Sequence, residues 1–153
     1  MTRGFGARIS EEKRSVEYIR RYTETADKFM ICFVGELSIR KNQSFLISAM
    51  PKIKASVNNA VLVLVGDGEL REELGELAQR LGVFESVRFV GYDDHPCDFM
   101  RACDLYASAS ESEGMPFNVI EALDSAGEWY LDFETGVLYV YKTKDFENAT
   151  IAY

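Results

Sequence analysis

Four short apolar runs recur along this chain, each closed by glycine or small polar residues. They are FMICFVG (29–35), AVLVLVGDG (60–68), SVRFVGY (86–92) and DLYASAS (104–110). Each is too short for a buried helix, and the first three are rich in β-branched or aromatic residues, which suits strands covered on both faces. Helical patterns separate them. Residues 42–56 set Phe45, Leu46, Ala49, Met50 and Ile53 on one stripe. Residues 69–81 read as a helix with acids in the first turn and Gly82 as C-cap. Residues 97–102 fit a helical turn or slightly more, and 116–123 a helix with proline near its first position. Strand–helix alternation at roughly 25-residue spacing predicts an α/β, Rossmann-like domain, a mostly parallel sheet with helices on both faces. Ligands of such sheets bind beyond the carboxyl ends of the strands, so the residues just after each strand become the candidates.

The two ends read differently. Residues 1–28 are a lead-in followed by a charged helix, EEKRSVEYIRRYTE, whose mixed charge predicts a solvated face. The final stretch, 124–153, contains EWYLDFETGVLYVY (128–141), alternating and aromatic around Glu134-Thr135-Gly136. That pattern predicts a C-terminal β-hairpin with a glycine turn. DFENATIAY (145–153) suits a short helix with Asp145 as N-cap. With 153 residues and no low-complexity linker, a single domain is expected.

Charge and cysteine usage restrict the partners. A net charge of -8, with a pI near 4.7, argues against nucleic acid or an anionic membrane surface as the main partner. A local cluster of cations can still hold a small anionic ligand. Cys32, Cys97 and Cys103 are an odd count without paired spacing, which suggests a reducing compartment. MTRGFGARISEEKR has no apolar signal core, and no apolar run approaches the ~18 residues of a membrane span. A cytoplasmic location is expected.

Candidate chemistry lies in the loops. Gly35 ends the first run, and Arg40-Lys41 precede the next helix. Two cations beside a helix N-terminus can form a phosphate site, although the same residues suit a solvated basic loop. GDGELREEL (66–74) lacks the Lys-Ser/Thr of a phosphate-binding glycine loop and is acidic, so a tight turn is the better reading. His95, the single histidine, lies in the polar loop DDHPCD, where exposure is the plainer expectation. Asp93, Asp94, His95 and Cys97 are too few and too loosely spaced for a metal site. Glu113 precedes Gly114, Met115 and Pro116, and Glu121 follows eight residues after Glu113. Two carboxylates at a helix start suit sugar or ribose hydroxyls, and equally suit a dipole-stabilising acid and a surface acid. A dinucleotide-type dehydrogenase is excluded, because no G-x-G-x-x-G follows the first run.

The segments FVGELSIRKNQSFLISAM, LVLVGDGELREELGELAQRLGV, VRFVGYDD and SASESEGMPFNVIEAL stand in order and together resemble a known family. They are similar to the C-terminal, donor-binding domain of a family 4 glycosyltransferase with the GT-B fold, over residues 4–123. The seven-residue gap between Glu113 and Glu121 matches the family signature. The resemblance implies retaining transfer of a hexosyl group from a nucleotide-diphosphate sugar, a UDP- or GDP-sugar, with no metal or other cofactor required. It implies that Arg40 and Lys41 hold the donor diphosphate and that Glu113 lies near the donor sugar. Gly114, Met115 and Pro116 would present backbone to sugar and phosphates, and Glu121 would accept from ribose hydroxyls. Gly91 and Tyr92 would line the nucleobase, and Gly35 would face the interdomain cleft.

Two departures qualify the resemblance. Nothing in the chain supplies the family's acceptor-binding domain, so a separate domain or second chain would be the partner. After Leu123 the sequence also lacks about ten residues of the family pattern, including one core strand. The alternative function is therefore a non-catalytic, truncated or engineered module that binds a nucleotide or a partner protein.

Overall fold

The computed structural model describes residues 13–109 and two strands at 129–132 and 137–140. In chain order, α1 (Val16–Tyr22) leads into β1 (Phe29–Val34), a 3-10 turn (Ile39–Lys41) and α2 (Gln43–Ser56). There follow β2 (Ala60–Val65), α3 (Arg71–Arg80), a second 3-10 turn (Phe84–Ser86), β3 (Val87–Gly91), α4 (Cys97–Ala102) and β4 (Leu105–Tyr106). The four strands form one sheet of order β3-β2-β1-β4, parallel throughout. This is the Rossmann-like α/β arrangement that the alternation predicts.

β1 and β2 carry no polar face. Every residue of β2 is buried, as are the four central residues of β1. Met30 and Cys32 join Val61, Val63, Val65 and the α1 and α4 residues Ile19, Phe99 and Met100 in one core layer. The alternate residues Ile31, Phe33, Leu62 and Leu64 join Ile47 and Met50 of α2 and Leu74 and Ala78 of α3 in the other. The period of two along each strand thus divides one apolar run between two layers of helices. Each fully buried Leu, Ile or Phe contributes about 1.5–3 kcal/mol, and both layers draw on the same two strands.

Beyond the carboxyl ends of β1 and β2 the loops meet backbone to backbone. The Gly35 amide donates to Val65 O at 2.9 Å, Leu37 N to Asp67 O at 3.0 Å, and Gly66 N to Gly91 O at 2.8 Å. Gly66 has φ +140, and a Cβ there would lie 1.9 Å from the Gly35 carbonyl oxygen. No rotamer relieves such an overlap, because both partners are main chain. The close approach therefore fixes how the two loops sit on the rim.

Several boundaries differ from the sequence reading for local reasons. The helix expected over 69–81 begins at Arg71, leaving Glu69 outside and Glu72 and Glu73 in the first turn. Residues before it are tied to the neighbouring loop: Leu70 N donates to Leu37 O, and Gly68 is pressed against Leu37 backbone. The fourth strand pairs with β1 over Leu105–Tyr106, shorter than the expected 104–110. The charged segment 11–24 narrows to Val16–Tyr22, capped by Ser15, whose Oγ accepts from Tyr18 N at 3.1 Å. Its face is not simply solvated. Arg21 and Glu17 do form an exposed pair, but Arg20 donates to the carbonyls of Ala102, Thr25 and Lys28 and bridges Asp104 at 2.9 Å.

The expected hairpin is present in its two strands. β5 (Trp129–Asp132) pairs antiparallel with β6 (Val137–Val140), from Trp129 opposite Val140 to Asp132 opposite Val137. The turn residues Glu134, Thr135 and Gly136, and the helix expected over 145–153, lie outside the described residues.

The rim contact makes a stability prediction. Gly66→Ala should destabilise the fold by about 2 kcal/mol or more, from backbone strain and steric overlap. The urea midpoint of the variant checks this; an unchanged midpoint would mean the loops do not touch as described.

Candidate functional site

The site grows from the rim. β1 is buried up to Phe33, and its axis ends at Gly35, where the chain leaves the sheet. Leu37, fully buried, anchors the loop in the core beside α2. The chain then has only a 3-10 turn before α2, and that turn holds Arg40 and Lys41. The turn closes through Lys41 N to Ser38 O at 3.2 Å and Asn42 N to Ile39 O at 3.1 Å. Asn42 follows in the left-handed region, φ 53, which a short polar side chain tolerates, and redirects the chain into α2.

This geometry brings Gly35 and Lys41 together. A Cβ at Gly35 would meet Phe33 Cζ at 3.0 Å and Lys41 Cε at 3.8 Å, so the lysine stem lies across the glycine. Arg40 is exposed on the same turn. Gly66 links Gly35 to Gly91 through the contacts described above. Gly91, φ +86, is the last residue of β3, and Tyr92 after it is 79% exposed. Five of the sequence candidates, Gly35, Arg40, Lys41, Gly91 and Tyr92, thus stand at the carboxyl rim of the sheet. Glu113, Gly114, Met115, Pro116 and Glu121 lie outside the described residues.

The GDG loop proves to be architecture. Asp67 Oδ1 accepts from Gly68 N at 2.9 Å, occupying an amide that a phosphate would need. Arg71, at the start of α3, stands 3.9 Å from that same oxygen. Its guanidinium also lies 5.9 Å from the Phe89 ring and, at 3.4 Å, next to where a Gly91 Cβ would be. The sequence reading passed over Arg71, since a lone arginine in REELGEL carries no local signal.

Arg14 was missed for the same reason, and its role is larger. Arg14 Nη2 donates to Asp93 Oδ1 at 2.6 Å, Nη1 to Asp93 Oδ2 at 3.0 Å, and Nε to Asp98 Oδ2 at 2.8 Å. Nη2 also reaches the His95 carbonyl at 3.1 Å, and the guanidinium lies 5.3 Å from the centroid of the Phe99 ring. Asp98 is buried and paired with Arg101 as well. One side chain from before α1 therefore clamps the loop that follows Gly91 and Tyr92. The bonds from Arg14 hold the Asp93 carboxyl below the usual carboxylate range, with burial working against them. At Asp98 burial pushes upward, but the bonds from Arg14 and Arg101 outweigh it and the net direction is also down. His95 is half-buried rather than simply exposed, and its amide donates to Asp93 Oδ1 at 2.9 Å.

Comparison with known proteins gives the family. Residues 15–127 match the family model described as glycosyl transferases group 1. The chain belongs to that family. An uncharacterized glycosyltransferase of Methanocaldococcus jannaschii, MJ1607, is 39% identical over 140 residues, covering 90% of this chain and 35% of its own length. That alignment and the family match both reach past Leu123, where the sequence alone suggests a departure from the family pattern. The Campylobacter jejuni N-acetylgalactosamine-N,N'-diacetylbacillosaminyl-diphospho-undecaprenol 4-alpha-N-acetylgalactosaminyltransferase is 37% identical over 97 residues, 63% of this chain and 26% of that protein. Among solved structures, Anabaena Alr3699/HepE in complex with UDP aligns with a TM-score of 0.64 at 29% identity, over 71% of this chain and 30% of that one. The lipopolysaccharide-biosynthesis glycosyltransferase WaaG aligns with a TM-score of 0.62 at 26% identity, over 74% of this chain and 31% of its own. The fold is therefore that of the GT-B glycosyltransferases, and the chain spans about a third or less of each of these proteins. No helix among the described residues is long and apolar enough to cross a membrane.

The clamp has a pH signature. Both carboxyls are depressed in the folded state, so their stabilisation is complete above their unfolded pKa of about 3.9 and is lost as pH falls through the lower folded values. Arg14→Met should cost about 2 kcal/mol at neutral pH and flatten the acid limb of the stability curve below about pH 4. Urea denaturation of both proteins across pH 2.5–7 checks this (roughly the window in which such carboxyls titrate). Parallel acid limbs would remove the clamp from the account.

Proposed function

We propose that the chain is the donor-binding part of a retaining, family 4 glycosyltransferase that uses a nucleotide-diphosphate sugar without a metal. The observation that carries this reading is the placing of Lys41 across Gly35, with Arg40 on the same turn, at the carboxyl rim of a parallel sheet. A cationic turn there can neutralise the diphosphate as its bond to the sugar breaks, the electrostatic share of the reaction. Gly91 and the exposed ring of Tyr92 suit the nucleobase on the same rim. The HepE structures with UDP and with UDP-glucose support a nucleotide sugar as the ligand class. Glu113 and Glu121 complete the reading through their sequence spacing, as partners of donor sugar and ribose.

The transfer itself needs an acceptor-binding domain or second chain, consistent with the fraction of its relatives that this chain spans. A module that binds a nucleotide without transferring a sugar is the second reading. Both predict binding; only the first predicts transfer once an acceptor half is supplied.

Thermal denaturation with UDP, GDP, ADP and their sugars tests the binding. One nucleotide should raise Tm, and Lys41→Ala and Glu121→Ala should each reduce the shift. Loss of a charge-assisted bond to the diphosphate corresponds to about 1.5–3 kcal/mol, or tenfold or more in Kd. A chelator should leave the shift unchanged. If no nucleotide or sugar nucleotide shifts Tm, the binding site is refuted and only the fold stands. Sugar transfer by the isolated chain should be near zero.

A further inference from the structure

The turn that carries Arg40 and Lys41 has a support that nothing in the motif pattern assigns. Gln43, the first residue of α2, is fully buried although it is a polar amide. Its Nε2 donates to the Glu36 carbonyl at 2.6 Å, closing a loop around residues 37–42. Its other amide atom, Oε1, is buried and accepts no hydrogen bond, and Ser38 Oγ on the enclosed turn is likewise buried and unpartnered.

That combination argues against a purely packing role. A buried, unsatisfied carbonyl carries its full desolvation penalty, whereas an apolar side chain of the same length would carry none. Gln43 sits beside Ile47 and Met50, both buried in the α2 layer of the core, where methionine would fit equally well. What only the amide provides is the bond to Glu36 O. Backbone bonds from Lys41 N to Ser38 O and from Asn42 N to Ile39 O close the turn itself, and the Gln43 side chain ties its entry, at Glu36, to the start of α2. Leu37 pins the near side of the loop and Gln43 the far side, with the two cations between them.

We propose that Gln43 is a positioning residue for the basic turn, holding Lys41 and Arg40 in register for the diphosphate of a nucleotide ligand. This rests on the donor-site reading above. It goes beyond that reading by assigning diphosphate recognition partly to a side chain that never touches the ligand.

The decisive quantity is the ratio of affinities for nucleoside diphosphate and nucleoside, UDP against uridine and GDP against guanosine, measured by calorimetry on the folded 153-residue chain. Gln43→Met should leave Tm unchanged or higher, yet reduce that ratio about three- to tenfold, the span of one neutral hydrogen bond. Nucleoside affinity should stay constant. Gln43→Leu, which is also apolar and cannot donate, should reduce the ratio in the same direction. In a Lys41→Ala background the Gln43→Met effect should largely vanish, because residues acting as a unit are not additive. A residue with only a structural role would lower Tm without moving the ratio. An unchanged ratio in a folded Gln43→Met or Gln43→Leu variant overturns the inference while leaving the donor site standing. Full additivity with Lys41→Ala does the same, and so does unfolding of both variants, which assigns Gln43 to the core alone. A wild-type chain with no preference for diphosphate over nucleoside refutes the donor site itself, and the inference with it.

Discussion

The parallel pairing of β1 with β2 is the constraint from which the rest of this structure follows. Six residues, Phe29–Val34, run in register with Ala60–Val65, and both strands are covered on each side. With no polar face available along the strands, hydrogen-bonding capacity and charge are displaced to the ends, where the loops meet water. The carboxyl rim is the end at which glycines let the β1 and β2 loops touch main chain to main chain. A ligand site on this sheet therefore inherits its position from packing before any catalytic residue is considered.

Charge at this rim falls into two groups with different work. Arg14, Asp93, Asp98 and Arg101 neutralise one another around the loop after β3, as Arg20 and Asp104 do at the opposite, amino end of β1. These are structural ion pairs, partly buried and geometrically specific, and they give the acidic chain reasons for carrying basic residues other than ligand binding. Arg40 and Lys41 form the second group at the rim, on the short turn between β1 and α2. The same distinction separates the glycines. Gly66 and Gly68 serve close packing of loops, while Gly35 leaves open the surface that Lys41 crosses.

Family membership and structure also place the chain within a larger design. Its relatives are several times longer, and this chain aligns with about a third or less of each. A two-domain GT-B enzyme binds its donor on one half and its acceptor on the other. Binding of a nucleotide and transfer of a sugar are thus separable properties in such an enzyme.

Much of this was legible in the sequence because local rules governed it. The three long strands, the α2 and α4 spans, the parallel fold and the C-terminal strand pair follow from periodicity and turn residues, and Gly35, Arg40, Lys41 and Gly91 follow from strand ends and family resemblance. The sequence determined these because short apolar runs and glycine turns have few alternative conformations. What only the tertiary structure decided involves partners distant along the chain. Arg14 meets Asp98 across 84 positions, Arg20 meets the Ala102 carbonyl across 82, and the start of α3 is delayed by backbone bonds to Leu37. Gln43 reads as an ordinary polar residue at a helix start, and only the closed loop makes its burial and its bond to Glu36 visible. Local sequence fixes where the strands end; which side chains brace those ends is settled when the sheet brings separate loops within hydrogen-bonding distance.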